Sequence, residues 1–265
     1  GRPHGSAKMR DFVRKRPNFI RNHRITGRPR ASPDGVAALL AMRQLLLDLL
    51  PETPPRLDNF VAGGNGEAIT GLAAWLSPDN REPALLLWGE SGAGKTHLLR
   101  ACGAPYCDAA LDPNLDSITP GNEAASCFAV DHLEALSAPG QIALFNLFNR
   151  CRAEGGRLLT AATQPPLGLN LREDLRTRLG SGLIYRLHAL TDEEKIAALG
   201  SQAAARGMRL PTEALTYILA RAPRDMRSLS ALLTALDRFS LEHQRPITLP
   251  LLREVLHTSP DATSR

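Results

Sequence analysis

Gly89-Glu90-Ser91-Gly92-Ala93-Gly94-Lys95-Thr96 is a G-x-x-x-x-G-K-T loop, and its flanks decide how it is read. The apolar run Ala84-Leu85-Leu86-Leu87-Trp88 before it reads as a buried parallel strand, and His97-Leu98-Leu99-Arg100-Ala101 after it reads as the first turns of a helix. A phosphate loop needs that strand, loop and helix in order. Gly89, Gly92 and Gly94 let the backbone curl until its N–H groups face phosphate oxygens, Lys95 brings a point charge to the outer phosphates, and the Thr96 hydroxyl suits Mg2+. A glycine-rich turn that merely ends in Lys-Thr is the alternative, and both flanks count against it.

A chain of 265 residues has room for one medium domain with a smaller appendage. No apolar run approaches the roughly 20 residues that span a bilayer, so a soluble, cytoplasmic protein without membrane contact is expected. The four cysteines, Cys102, Cys107, Cys127 and Cys151, show no C-x-x-C pairing and no histidine at finger spacing, which points to free thiols rather than zinc ligands.

The net charge of +5 and isoelectric point near 9.3 suggest a nucleic-acid binder, but the charge is unevenly placed. Residues 1–41 carry ten Lys/Arg against two acids, leaving 22 Lys/Arg against 25 acids in residues 42–265. The basic signal thus belongs to an Arg- and Pro-rich tail that reads as disordered. That tail is either a native arm or targeting sequence, or a tag, scar or misassigned start ahead of Met42. Directly after Met42, Gln44-Leu45-Leu46-Leu47-Asp48-Leu49 has the form Q-L-x-L-x-L. An extended peptide of this kind can seat Leu45, Leu47 and Leu49 in an apolar groove while Gln44 fixes register, although leucine-rich hexapeptides are often plain core.

Pro51 to Pro55 forms a linker, and Asp58-Asn59-Phe60-Val61-Ala62-Gly63 leads into a helical pattern with Ile69, Leu72, Ala73 and Leu76 apolar. A second strand is expected over 106–111. Ser126-Cys127-Phe128-Ala129-Val130-Asp131 reads as a third, ending in a carboxylate placed to hold Mg2+ through its water shell; a helix cap is the plainer role for that Asp. Residues 141–154 read as an amphipathic helix, 158–163 and 183–187 as a fourth and a fifth strand. From Thr191 onward only helices are expected, opened by the capping box Thr191-Asp192-Glu193-Glu194. Strands alternating with helices, then a helical tail, predict an α/β fold with a parallel sheet and an all-α lid. The expected divisions are a tail over 1–41, a peptide and linker over 42–55, an α/β core over 56–190, a lid over 191–258 and a tail over 259–265.

The combination resembles the AAA+ ATPases of the bacterial replication-initiator family. Asp58-Asn59-Phe60-Val61 looks like the family's segment before the nucleotide pocket, and Phe145-Asn146-Leu147-Phe148-Asn149 like its helix after the Mg2+ strand. Thr177-Arg178-Leu179-Gly180-Ser181-Gly182 is similar to its arginine-finger box, and Arg224-Asp225-Met226-Arg227-Ser228-Leu229 to its sensor-II helix. The likeness covers roughly residues 57 to 257 and implies a P-loop ATPase core with a five-stranded parallel sheet. The initiator DnaA continues into a helix-turn-helix DNA reader, for which no room is expected after Leu256. A DnaA-like core preceded by Q-L-x-L-x-L looks like the branch of the family that inactivates DnaA, whose N-terminal peptide binds the DNA polymerase III beta sliding clamp. Asp48 stands where that peptide commonly has proline, and Thr163 where the fourth strand's sensor position has Asp.

The resemblance implies ADP or ATP with Mg2+ as ligands, bound by Gly89, Gly92, Gly94, Lys95, Thr96, Asp131, Val61 and Arg227. It implies Arg178 as a finger acting in trans on ATP bound to DnaA, and Arg227 as a reporter in cis. Gln44, Leu45, Leu47 and Leu49 would bind the clamp, DNA contact would be indirect, and a homo-oligomer is allowed. Hydrolytic members usually place a second acid after the Mg2+ aspartate; here that residue is His132, and Glu134 lies far along the chain for a substitute. Weak turnover of its own ATP is therefore expected. The competing readings are an autonomous ATPase of the initiator or helicase-loader type and a DNA binder working through the basic tail. Arg178 as a plain helix-end cation and Arg227 as a surface ion pair with Asp225 or Glu242 are the ordinary alternatives.

Overall fold

A computed structural model describes residues 54–118 and 126–257 of the chain. The Gln44–Leu49 peptide and the basic tail lie outside the described residues. Strands β1 (Ala84–Trp88), β2 (Tyr106–Asp108), β3 (Cys127–Asp131), β4 (Arg157–Ala162) and β5 (Leu183–Arg186) form one sheet in the order β2-β3-β4-β1-β5, and every pairing is parallel.

The strands are apolar along their length because both faces are covered. Leu86, Phe128, Val130 and Leu158 pack with Leu144, Leu147 and Phe148 of α3 (Ala138–Glu154) and with Leu175 and Leu179 of α4 (Glu173–Gly180). Leu85, Leu87, Ala129 and Leu159 face the other way, onto Leu72 and Trp75 of α1 (Gly66–Leu76) and Leu98 and Leu99 of α2 (Lys95–Ala101). Alternation along each strand thus feeds two cores from one sheet. The second strand is shorter than its expected span. The Asp108 carbonyl accepts from the N–H groups of both Leu111 and Asp112, which closes a turn where the sequence pattern continued a strand.

The lid contains α5 (Asp192–Ala205), α6 (Thr212–Arg221), α7 (Met226–His243) and α8 (Leu249–His257), packed around Leu199, Ile218, Leu229, Leu233 and Leu252. Its first helix opens on the capping box expected from sequence, with Thr191 and Glu194 each accepting from the other's backbone N–H. Among the described residues no helix is long and apolar enough to cross a membrane.

Asn65 joins the start of the core to its exit. It is 4% exposed, donates from Nδ2 to the His188 carbonyl at 2.9 Å and accepts from the His188 N–H at 2.8 Å. The segment that precedes α1 is thereby tied to the chain that leaves β5 for the lid.

Candidate functional site

All five strands run the same way, so their C-terminal ends share one edge of the sheet, where an open α/β fold gathers its ligand-binding loops. The Gly89–Lys95 turn follows β1 there, and Gly89 donates to the Ala162 carbonyl of β4 at 3.2 Å. A Cβ at Gly89 would fall 2.1 Å from the Leu187 carbonyl oxygen, so the loop can sit this close to the end of β5 only without a side chain. Gly94 has φ +94°, and a Cβ there would lie 2.6 Å from the Phe60 ring.

Phe60 therefore lies against the phosphate loop and also meets His97, with ring centroids 5.5 Å apart. His97 Nε2 in turn reaches the Arg56 carbonyl at 3.0 Å. Residues 56–60 thus lie along the start of α2, and half-buried Val61 follows directly.

Lys95 is buried, and its ammonium donates to the Gly89 and Glu90 carbonyls at 2.6 and 2.9 Å. Burial lowers its pKa below the ordinary lysine value, opposed by the charges of Asp131, then Glu134, then Glu90. Beside it, Thr96 donates its hydroxyl to Asp131 Oδ2 at 2.6 Å, and Asp131 is fully buried. Tyr106 adds a donation to the same Oδ2 at 3.1 Å, and the His132 N–H donates to Oδ1 at 2.9 Å. Burial, with a further push from the Asp131 charge, raises the Tyr106 pKa to about 12, so this hydroxyl stays protonated at neutral pH. The Arg100 guanidinium lies 4.7 Å from the centre of the Tyr106 ring and helps hold it.

A hydroxyl beside a buried carboxylate, next to a loop lysine, is a donor set that fits Mg2+ carried in on phosphates. Such an ion would neutralise phosphate charge there. Thr96 and Asp131 are the residues that would hold it. Among the described residues no cluster of His, Cys, Asp or Glu forms a separate metal site, and all four cysteines are free.

His132 does not extend the strand. Its backbone is left-handed at φ 55°, ψ 52°, and its Nδ1 lies 2.7 Å from Asp108 Oδ1 on the edge strand β2. The following 3-10 turn, Leu133–Ala135, is anchored by fully buried Leu133. That turn brings the Glu134 carboxylate back to the tip of β4, where Oε2 accepts from the Thr163 N–H at 3.3 Å. The distance along the chain that counted against Glu134 is thus closed by one turn of 3-10 helix.

Arg178 is half-buried near the end of α4, with its guanidinium 5.6 and 5.8 Å from the ring centres of Phe145 and Phe148 on α3. Among the described residues no carboxylate pairs with it. Arg227 is exposed at the second position of α7. Asp225 caps that helix through the Ser228 N–H at 2.8 Å, and Glu242 pairs with Arg238 at 2.7 Å. Arg224 is exposed and meets Asp192 at 3.2 Å.

The structure thus gathers Gly89, Gly92, Gly94, Lys95, Thr96 and Asp131 at one edge, with Val61 beside them, while Arg178 and Arg227 belong to other elements. Tyr106, Asp108 and Asn65 were not singled out from sequence. Tyr106 and Asp108 are two apart on a strand beside the Asp131 strand, a period-2 signal that a shorter second strand would have exposed. Asn65 had only its place after Gly63-Gly64 to mark it.

Residues 192–256 match the family model described as the Hda lid domain. The chain is 34% identical over 229 residues to an uncharacterized protein of Haemophilus influenzae, a match covering 81% of this chain and 99% of that one. The chain belongs to the Hda-like branch of DnaA-related AAA+ proteins. Its fold is similar to domain III of DnaA from Thermotoga maritima, with TM-score 0.60, 21% identity, and coverage of 76% of this chain and 95% of that one. It is also similar to AMPPCP-bound DnaA from Aquifex aeolicus (TM-score 0.55, 20% identity, 74% and 71% covered). A third likeness is to the RuvB branch-migration motor of Thermotoga maritima (TM-score 0.56, 18% identity, 81% and 73% covered). The chain thus carries an Hda-like lid on a core with the fold of DnaA domain III.

Proposed function

We propose that the protein is a negative regulator of DNA replication initiation. It binds ADP or ATP with Mg2+ at the Gly89–Thr96 loop and Asp131, docks on the DNA polymerase III beta sliding clamp, and stimulates hydrolysis of DnaA-bound ATP. Docking is the role of Gln44, Leu45, Leu47 and Leu49, and DNA is met through the clamp. Nucleotide binding is supported by the Lys95, Thr96 and Asp131 arrangement and by a DnaA of the same fold that holds AMPPCP.

The observation that carries the activating role is Arg178. Its guanidinium rests on two phenyl faces and not on a carboxylate, which keeps the charge uncancelled. An arginine offered to a partner's γ-phosphate stabilises charge spread over the transferring group, an effect of about 10³ to 10⁵ in rate. Arg227 then acts in cis, sensing bound nucleotide from the lid. The histidine after Asp131 fits this division of labour, because with no acid at that position turnover of the protein's own ATP is slowed, though not abolished.

The test mixes ATP-loaded DnaA, clamp loaded on DNA, and either wild type or the Arg178→Ala variant. Wild type accelerates hydrolysis on DnaA and Arg178→Ala does not. Equal hydrolysis with the two proteins defeats the finger assignment, and equal hydrolysis with and without clamp defeats the docking role.

A further inference from the structure

Three observations converge on Glu134. The first is backbone strain: His132 is left-handed, a conformation that costs a non-glycine residue on the order of 1 kcal/mol and persists only where its surroundings enforce it. Asp108 enforces it through the 2.7 Å contact with Nδ1, and Asp131 through the 2.9 Å bond from the His132 N–H. The second is the turn that follows. Ala135 donates to the His132 carbonyl and Leu136 to the Leu133 carbonyl, and Leu133 is sunk in the core, so Glu134 is held on the opposite side.

The third is where its carboxylate lands. Thr163, whose N–H it accepts at 3.3 Å, directly follows Ala162, and the Ala162 carbonyl accepts from Gly89 at the head of the phosphate loop. The carboxylate is thus two short links from the loop, at the junction of β3, β4 and β1. Its charge is also felt at Lys95, second only to that of Asp131 among the carboxylates.

We propose that Glu134 is the carboxylate that orients the attacking water for this chain's own ATP hydrolysis, replacing the acid that His132 displaces from the position after Asp131. The inference rests on the nucleotide reading given above. In the reaction the water oxygen bonds to the γ-phosphorus as the bond from that phosphorus to the bridging oxygen of ADP breaks. The water proton passes by way of the Glu134 carboxylate to the released phosphate, so ATP and water become ADP and phosphate. His132 is the positioning residue: stapled to Asp108, it turns the chain so that the acid arrives two residues late.

The test compares the full chain with Glu134→Gln in Mg2+. It reads affinity for fluorescent ATP and ADP analogues, single-turnover hydrolysis of bound ATP, and the melting temperature. The amide keeps an oxygen to accept from the Thr163 N–H, so a purely structural Glu134 predicts no change in any readout. The expected result is affinity within about twofold of wild type, unchanged melting, and hydrolysis lowered about 100-fold, the low end of what a positioned base contributes. Hydrolysis equal in the two proteins overturns the inference while leaving nucleotide binding intact. So does a wild type that binds ATP and never turns it over. Failure of both proteins to bind any nucleotide sinks the nucleotide reading itself and this inference with it.

Discussion

Replacing Asn65 by alanine removes both hydrogen bonds that fasten the segment before α1 to His188. Each bond is worth about 0.5–1.5 kcal/mol net, and stranding a backbone group away from water raises the loss toward 1–3 kcal/mol. Both bonds are partly buried and Asn65 itself is 4% exposed, so water replaces the amide poorly. The expected cost is about 2–4 kcal/mol for the pair. For a chain of this size each kcal/mol lowers the melting temperature by about 2–4 °C, which gives a drop of roughly 4–16 °C in calorimetry.

The companion Asn65→Asp separates the two bonds. It preserves the acceptor for the His188 N–H but sets a carboxylate against the His188 carbonyl oxygen, so the folded state favours its protonated form. A folded pKa raised above the unfolded one means that the fold binds the extra proton. The penalty of Asn65→Asp is therefore smallest in acid and grows as pH rises through the carboxylate range. An Asn65→Ala melting point within about 1 °C of wild type, or an Asn65→Asp penalty that does not depend on pH, would refute the claim that these two bonds fasten the segment before α1 to the chain leaving β5.

Three further outcomes follow from the site. Lys95→Ala should abolish binding of fluorescent nucleotide analogues while melting near or above the wild-type temperature, since the ammonium is desolvated in the fold; retained affinity would remove Lys95 from the phosphate site. Gly94→Ala should destabilise by at least about 1 kcal/mol in urea melts and weaken nucleotide binding, because the left-handed backbone and the Phe60 ring both oppose a Cβ. At high pH, burial holds Cys102 protonated up to about 12 and Cys151 up to about 11, and Tyr106 likewise up to about 12. The unfolded chain releases these protons earlier, so this stability is fully present below about pH 9 and lost as pH rises toward 12; flat stability from pH 9 to 11 would contradict it.

The α/β order, the five strands and the helical lid were legible because periodicity and punctuation agreed: an unbroken apolar run before a glycine-rich turn, and a capping box before a purely helical stretch. Asp131 was legible for the same reason, standing at the end of a buried run. What was hidden depends on backbone direction after the strand ends. One left-handed residue at His132 decides whether a nearby acid reaches the tip of β4 or turns away from it, and residue types at fixed spacing carry no record of φ. The setting of Arg178 was equally hidden. Its box marks it as an arginine of interest, but the phenyl faces beneath it come from α3, some thirty residues earlier, and that pairing exists only once α3 and α4 pack together.

The strap over the phosphate loop also limits where a gripping partner can stand. Phe60 leans on Gly94, Arg56 meets His97, Asn59 holds the Pro54 carbonyl, and Asn65 is knotted to His188, so the segment ahead of α1 is fastened at several points. Seven chain steps lead from Leu49 to Arg56, so covalent reach alone limits that separation to about 24 Å. Any partner that took up those leucines would thus stand within that reach of Arg56, which meets the histidine in the first turn of α2 beside the phosphate loop.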